Sequence, residues 1–124
     1  MTALLLTAIA CGSGPAAIAA DEATWGNERE TMAILHDGAR FEGLCLEGVI
    51  SEKVVLDQAG TFNARGTLRH VGGARRDDDG RQEVVFRGAI RGETMTLSIE
   101  SADHVEILKS TLKKGVRGTA RPCA

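Results

Sequence analysis

The residues best equipped for chemistry in this chain are its three cysteines and three histidines. Cys11 lies in an apolar N-terminal stretch, whereas Cys45 and Cys123 lie in the body of the chain. Two thiolates without a neighbouring histidine make a poor metal site, so Cys45 and Cys123 are expected to form a disulfide tying the C-terminus to the first third of the chain. Closing so long a loop contributes about 4 kcal/mol on the chain-entropy model. His36, His70 and His104 are scattered without metal-ligand spacing, and no metal site is expected. His70 stands apart because it ends the alternating run Phe62, Ala64, Gly66, Leu68, His70 and precedes Gly72 and Gly73. If the chain binds a small ligand, His70, Gly72, Gly73, Arg75 and Arg76 are the candidate mouth. Glycines there let a ligand approach the backbone, and the arginines offer mobile cations to an anionic head. Phe62, Leu68, Phe86 and Leu97 would form the apolar wall behind it. The competing expectation is that these side chains simply fill the interior and His70 is a solvated rim residue.

Other chemistries find no support in the sequence. There is no nucleophile elbow, Walker loop, dinucleotide fingerprint or zinc-protease helix motif. Asp77-Asp78-Asp79-Gly80 lacks the alternation and terminal glutamate of a calcium loop, and reads as a solvated tip. No catalytic residue and no cofactor is assigned, and the chain is not expected to be an enzyme. The basic run Lys109, Lys113, Lys114, Arg117 and Arg121 reads as a solvated face. A net charge of −2, with one tryptophan, three phenylalanines and no tyrosine, argues against a nucleic-acid partner.

The N-terminus reads as an export leader. The apolar run at 2–10 is far shorter than the roughly 20 residues of a membrane-spanning helix, so no transmembrane segment is expected. Cys11-Gly12-Ser13-Gly14-Pro15 breaks it, and Ala17-Ile18-Ala19 then precedes Ala20 and the charged pair Asp21-Glu22. Small residues at minus three and minus one suit signal-peptidase cleavage before Ala20, making 1–19 the signal peptide. No basic residue precedes the apolar run. An alternative is that Ala8-Ile9-Ala10-Cys11 is a lipoprotein box, with the chain anchored at Cys11. Either route leads to an exported protein, periplasmic or extracellular, where a disulfide persists.

Positions able to carry a site need elements to hold them, and here the periodicity is two almost throughout. Residues 20–29 lack it and are expected to form a flexible arm, leaving 30–124 as a single domain. Thr31–His36 alternates up to a hairpin signal at Asp37-Gly38, and Ala39–Cys45 returns. Short strands follow at 48–50 and 53–56, then a turn at 57–60. The clearest strands are 61–71, 83–91 and 93–101, with Val84, Phe86, Gly88 and Ile90, then Met95, Leu97 and Ile99, facing inward. In 104–113 the apolar residues change face, and a bulge between Ile107 and Leu108 would restore one face. A short closing strand is expected at 116–122. Gly66 and Gly88, inward and mid-strand, suit the sharp bends of a coiled sheet. The expected fold is all-β, a small antiparallel up-and-down barrel of about eight short strands, with a β-sandwich as the alternative.

Several pieces fall in a recognisable order. These are Cys45-Leu46-Glu47-Gly48-Val49-Ile50, Leu56-Asp57-Gln58-Ala59-Gly60-Thr61-Phe62, Gly66-Thr67, His70-Val71-Gly72-Gly73, Met95-Thr96-Leu97 and a near-terminal cysteine. The pattern over 41–123 resembles a family of small exported bacterial β-rich proteins with lipocalin-like barrels and no characterised function. It departs from that pattern at Ala74 and at Glu83-Val84, where prolines are usual. The resemblance implies the fold and export, and carries no catalytic role. The function expected is that of an exported non-enzymatic barrel module, with small-ligand binding one use. The alternative is a protein-interaction or protease-inhibitor-like module acting through the 20–29 arm.

Overall fold

Alternating residues become strands because one face of each is buried and the other is wetted. The computed structural model, which describes residues 17–71 and 80–119, bears this out with ten strands and no helix among those residues. In chain order they are β1 (Ile18–Ala19), β2 (Ala23–Gly26), β3 (Thr31–Leu35), β4 (Gly38–Gly43), β5 (Leu46–Ile50), β6 (Val55–Leu56), β7 (Thr61–His70), β8 (Gln82–Arg91), β9 (Thr94–Ser101) and β10 (Glu106–Lys114). Eight of them close a barrel in the order β10-β2-β3-β4-β5-β7-β8-β9, every neighbouring pair antiparallel. β1 and β6 form a separate two-stranded ribbon. No helix among the described residues is long and apolar enough to cross a membrane.

The barrel is filled by its own side chains. Met32, Phe41, Phe86, Met95, Ile99 and Leu112 are wholly buried, with Trp25, Ile34, Phe62, Leu68, Val84 and Leu97 packed around them. The inward faces of β7, β8 and β9 are those the alternation predicts. The inward glycines serve the rings as well as the curvature. A Cβ on Gly66 would stand 2.8 Å from Phe86 Cε1, and one on Gly88 would overlap the Phe62 ring. Two of the three phenylalanines therefore seat their rings against glycines, where no side chain displaces them.

Four expectations are corrected. Residues 20–29 are not a free arm. Ala23–Gly26 is a barrel strand between β3 and β10, and Trp25 is only 3% exposed. Burying that one indole outweighs the weak local pattern of a four-residue strand. The barrel therefore begins at Ala23 rather than at residue 30. Its indole Nε1 is buried without a hydrogen-bond partner among the described residues. Second, the first hairpin turns on His36–Asp37, with Gly38 already in β4 opposite Leu35. Gly38 is drawn into the strand because its bare Cα lies against the carbonyl of Ile50. Third, the register of β10 does shift between Glu106 and Leu108, but the shift does not gather the apolar residues on one face. Leu108 and Leu112 are buried, while Val105 is 62% and Ile107 38% exposed. Fourth, 116–119 is not a strand; it turns back at Gly115 and lies over the β2–β3 turn, the amide of Thr119 donating to Glu28 O at 3.1 Å.

The sequence also concealed a hairpin. β4 and β5 are joined by the two-residue turn Leu44–Cys45, with φ of 54° and 61°. A turn with both central residues left-handed ordinarily takes Asn-Gly, so Leu-Cys gave no signal and 39–45 reads as one strand. Leu44 is 48% exposed and gains little from its side chain there. Leu44→Asn is therefore expected to raise stability by about 1 kcal/mol, seen as a higher urea midpoint at unchanged slope.

Candidate functional site

Up-and-down connectivity sends alternate turns to opposite ends of the barrel. The end carrying the 44–45 turn also carries the end of β7 and the loop that follows it. His70 lies there, opposite Leu46 and exposed, and the amide of Val71 donates to Cys45 O at 3.0 Å. Gly72, Gly73, Arg75 and Arg76 lie outside the described residues, as does the Asp77–Asp79 run. His70 is exposed at the end of β7, whereas Phe62, Ala64 and Leu68 of the same strand are buried. Leu68 at 3% exposure and the Phe86 ring occupy the interior behind it.

Cys45 is disulfide-bonded. Cys11 and Cys123, the two other cysteines, lie outside the described residues. Among the described residues no group of His, Cys, Asp or Glu is arranged to hold a metal ion.

A different concavity lies on the outer wall of the barrel, across β7, β8, β9 and β10. Strand pairing sets Asn63, Arg87, Ser98 and Lys109 in one cross-strand row, and Thr61, Ala89 and Thr96 in the next. These outward side chains, with Phe62, Gly88 and Leu97 behind them, line a cleft of about 300 Å³. Ser98 sits between the two long cations Arg87 and Lys109, the small residues Thr61, Ala89 and Thr96 lie beside them, and no carboxylate lines the cleft. Arg87 is steered by Glu100 on the neighbouring row, Nε to Oε1 at 3.2 Å. A second cleft of about 220 Å³ shares Thr61, Phe62 and Asn63, and is walled by Ala17 just before β1, by Val55 and Leu56 of β6, and by Asp57. The solvated pattern of β7–β10 concealed this site, because a row of Thr, Ser and Ala reads as an ordinary polar face. Only the pairing of strands brings Arg87 and Lys109 to one concavity. Lys113, also on the outer face of β10, donates to Thr94 Oγ1 at 3.1 Å.

The 57–60 turn fixes the start of β7 beneath both clefts. Asp57 Oδ2 accepts from the Thr61 hydroxyl at 2.6 Å, and Oδ1 accepts from the amides of Ala59 and Thr61 at 2.9 and 3.0 Å. These bonds, the Thr61 hydroxyl foremost, hold the Asp57 carboxyl below its usual pKa. A group depressed in this way stabilises the fold above its unfolded pKa and loses that contribution as pH falls through the folded value. Asp57→Asn is expected to lower Tm at neutral pH, and the difference from the parent should vanish once acid has protonated Asp57. Paired thermal melts across that range check the sign.

At the β2–β3 turn, Glu30 is 5% exposed and accepts from Asn27 Nδ2 at 2.9 Å and from the Ser110 hydroxyl. Asn27 Nδ2 also reaches Thr111 O at 3.1 Å, and the Gly118 amide donates to Thr31 Oγ1 at 2.8 Å. This network seals the β10–β2 seam and is structural. No family model, no curated protein and no solved structure matches the chain.

Proposed function

We propose that this chain is an exported, non-enzymatic β-barrel module that binds a small ligand on its outer wall rather than inside the barrel. The observation that carries this reading is the filled interior. With Phe86 against Gly66 and Phe62 against Gly88, a ligand has to be met from outside, where the β7–β10 cleft offers a concave polar surface. The arm-based inhibitor reading loses its element, because Ala23–Gly26 belongs to the barrel wall.

Export and the disulfide belong to the same proposal, with Cys45 bonded to Cys123. Thr119 is hydrogen-bonded to Glu28, and Gly43 is so close to Arg29 that an added Cβ would stand 3.0 Å from Arg29 O. Four residues beyond Thr119 span up to about 13 Å, enough to reach a turn two residues past Gly43. β1 bears on the processing. Ile18 and Ala19 pair with Leu56 and Val55, and Ala20 donates to Val54 O at 2.9 Å. Cleavage before Ala20 would discard that ribbon strand, whereas cleavage before Cys11 would keep it, which favours the lipid-anchored form.

Native mass spectrometry of protein purified from its own host reads all three points together. The expected species begins at an acylated Cys11, carries one disulfide and holds one small-molecule adduct that denaturation releases. A bare, unliganded chain beginning at Ala20 with free thiols would refute the reading.

A further inference from the structure

We propose that the outer-wall cleft is a site for a small organic anion, its charged head between Arg87 and Lys109 and its apolar body directed toward Val55 and Leu56. The inference deepens the outer-wall reading and rests on it. Charge supplies the first argument. Arg87 and Lys109 flank the cleft from β8 and β10, and none of the residues lining it is acidic. Glu100 engages Nε of Arg87, which orients the guanidinium and leaves its terminal nitrogens as donors for a second acceptor.

The hydroxyls of Ser98, between those cations in their own row, and of Thr96, in the adjacent row, are short donors that reach a carboxylate or sulfate head without filling the space it needs. The apolar part of the ligand is argued from the second cleft. It shares Thr61, Phe62 and Asn63 with the first, so one trough runs from Lys109 to the ribbon. At the far end Val55 and Leu56 offer an apolar wall, and Val55 is 39% exposed. Asp57 also stands at that end, its oxygens taken up by Thr61 and Ala59, and its negative charge opposes an anionic head there. The trough is thus polarised, cationic at one end and apolar with a fixed negative charge at the other. An inorganic anion uses only the first end, and a neutral apolar molecule only the second.

The test is a titration of the full exported chain followed by amide chemical shifts, with octanoate, sodium sulfate and octanol as probes. Octanoate is expected to saturate in the millimolar range or tighter, with shifts grouped on Thr61, Gly88, Ala89, Ser98 and Lys109. Sulfate and octanol should each bind at least about tenfold more weakly, each lacking one half of the interaction. Lys109→Gln should weaken octanoate by about tenfold, while the shifts elsewhere in the spectrum show an unchanged fold. Ala89→Trp, which fills the cleft from an outward position, should abolish saturation.

The inference is overturned if octanol binds as tightly as octanoate, if octanoate shifts fail to saturate, or if both variants leave its affinity unchanged. A host-derived adduct that persists in Lys109→Gln and Ala89→Trp would overturn this site while leaving the broader binding function intact.

Discussion

Gly88→Ala is expected to destabilise the barrel by on the order of 3 kcal/mol, a large cost for a single methyl group. An ideal Cβ at Gly88 falls on the Phe62 ring and meets nothing else within 3 Å besides that ring. Phe62 cannot swing away cheaply, because it is 3% exposed and the interior around it is occupied by Leu97 and its neighbours. The cost should therefore be specific to one pair. Phe62→Leu alone leaves a partial void and is expected to cost about 1–2 kcal/mol. In the double variant the smaller side chain makes room for the new methyl group, so the combined loss should fall well short of the sum. Urea midpoints for the four proteins of this cycle measure the coupling. Strict additivity would show that Gly88 is required by the curvature of β8 and not by the ring of Phe62.

That distinction marks the boundary of what was legible in the sequence. Alternation in 61–71, 83–91 and 93–101 identified the inward faces of β7, β8 and β9 because each strand is long enough to repeat its period several times. β2 was not legible, since four residues, Ala-Thr-Trp-Gly, repeat nothing and only the burial of Trp25 reveals their place. The 44–45 turn was hidden for the opposite reason. Leu44 and Cys45 carry strand-like chemistry in a left-handed conformation that local preference disfavours, and pairing of β4 with β5 overrides that preference. Gly66 and Gly88 read as inward and do face the Phe86 and Phe62 rings, but a bend and a ring seat leave the same mark in the sequence. The candidate mouth at His70 rests on carrying the inward pattern to the last residue of β7, which is exposed at the strand's end. The outer cleft depends on which residues of four strands stand abreast, and a one-residue change in register would separate Arg87 from Lys109.

Cys45→Ala is expected to cost about 2–5 kcal/mol in oxidised protein and nothing in fully reduced protein. Alanine is the informative replacement. Cys45 has φ of 61°, so glycine would relieve backbone strain as it removed the cross-link, whereas alanine keeps a Cβ and the strain with it. The cross-link matters to this fold for a reason visible in its seam. β10 and β2 are paired in register only at Lys113 with Gly26 and Lys114 with Trp25, so this is the shortest ladder in the barrel. The chain beyond β10 covers that seam, with Gly118 and Thr119 bonded to Thr31 and Glu28. A bond from Cys123 to the β4–β5 turn would hold this cover in place. Its loss should therefore appear first as faster amide exchange in 23–26 and 113–119, before the rest of the barrel responds. The partner is identified by the remaining cysteines. Cys123→Ala should reproduce both the stability loss and the local exchange, the Cys45→Ala/Cys123→Ala double variant should add nothing further, and Cys11→Ala should leave both unchanged. If Cys11→Ala reproduces the loss and Cys123→Ala does not, the staple joins the leader to the β4–β5 turn, and the seam is held by the Asn27, Glu30 and Ser110 network alone.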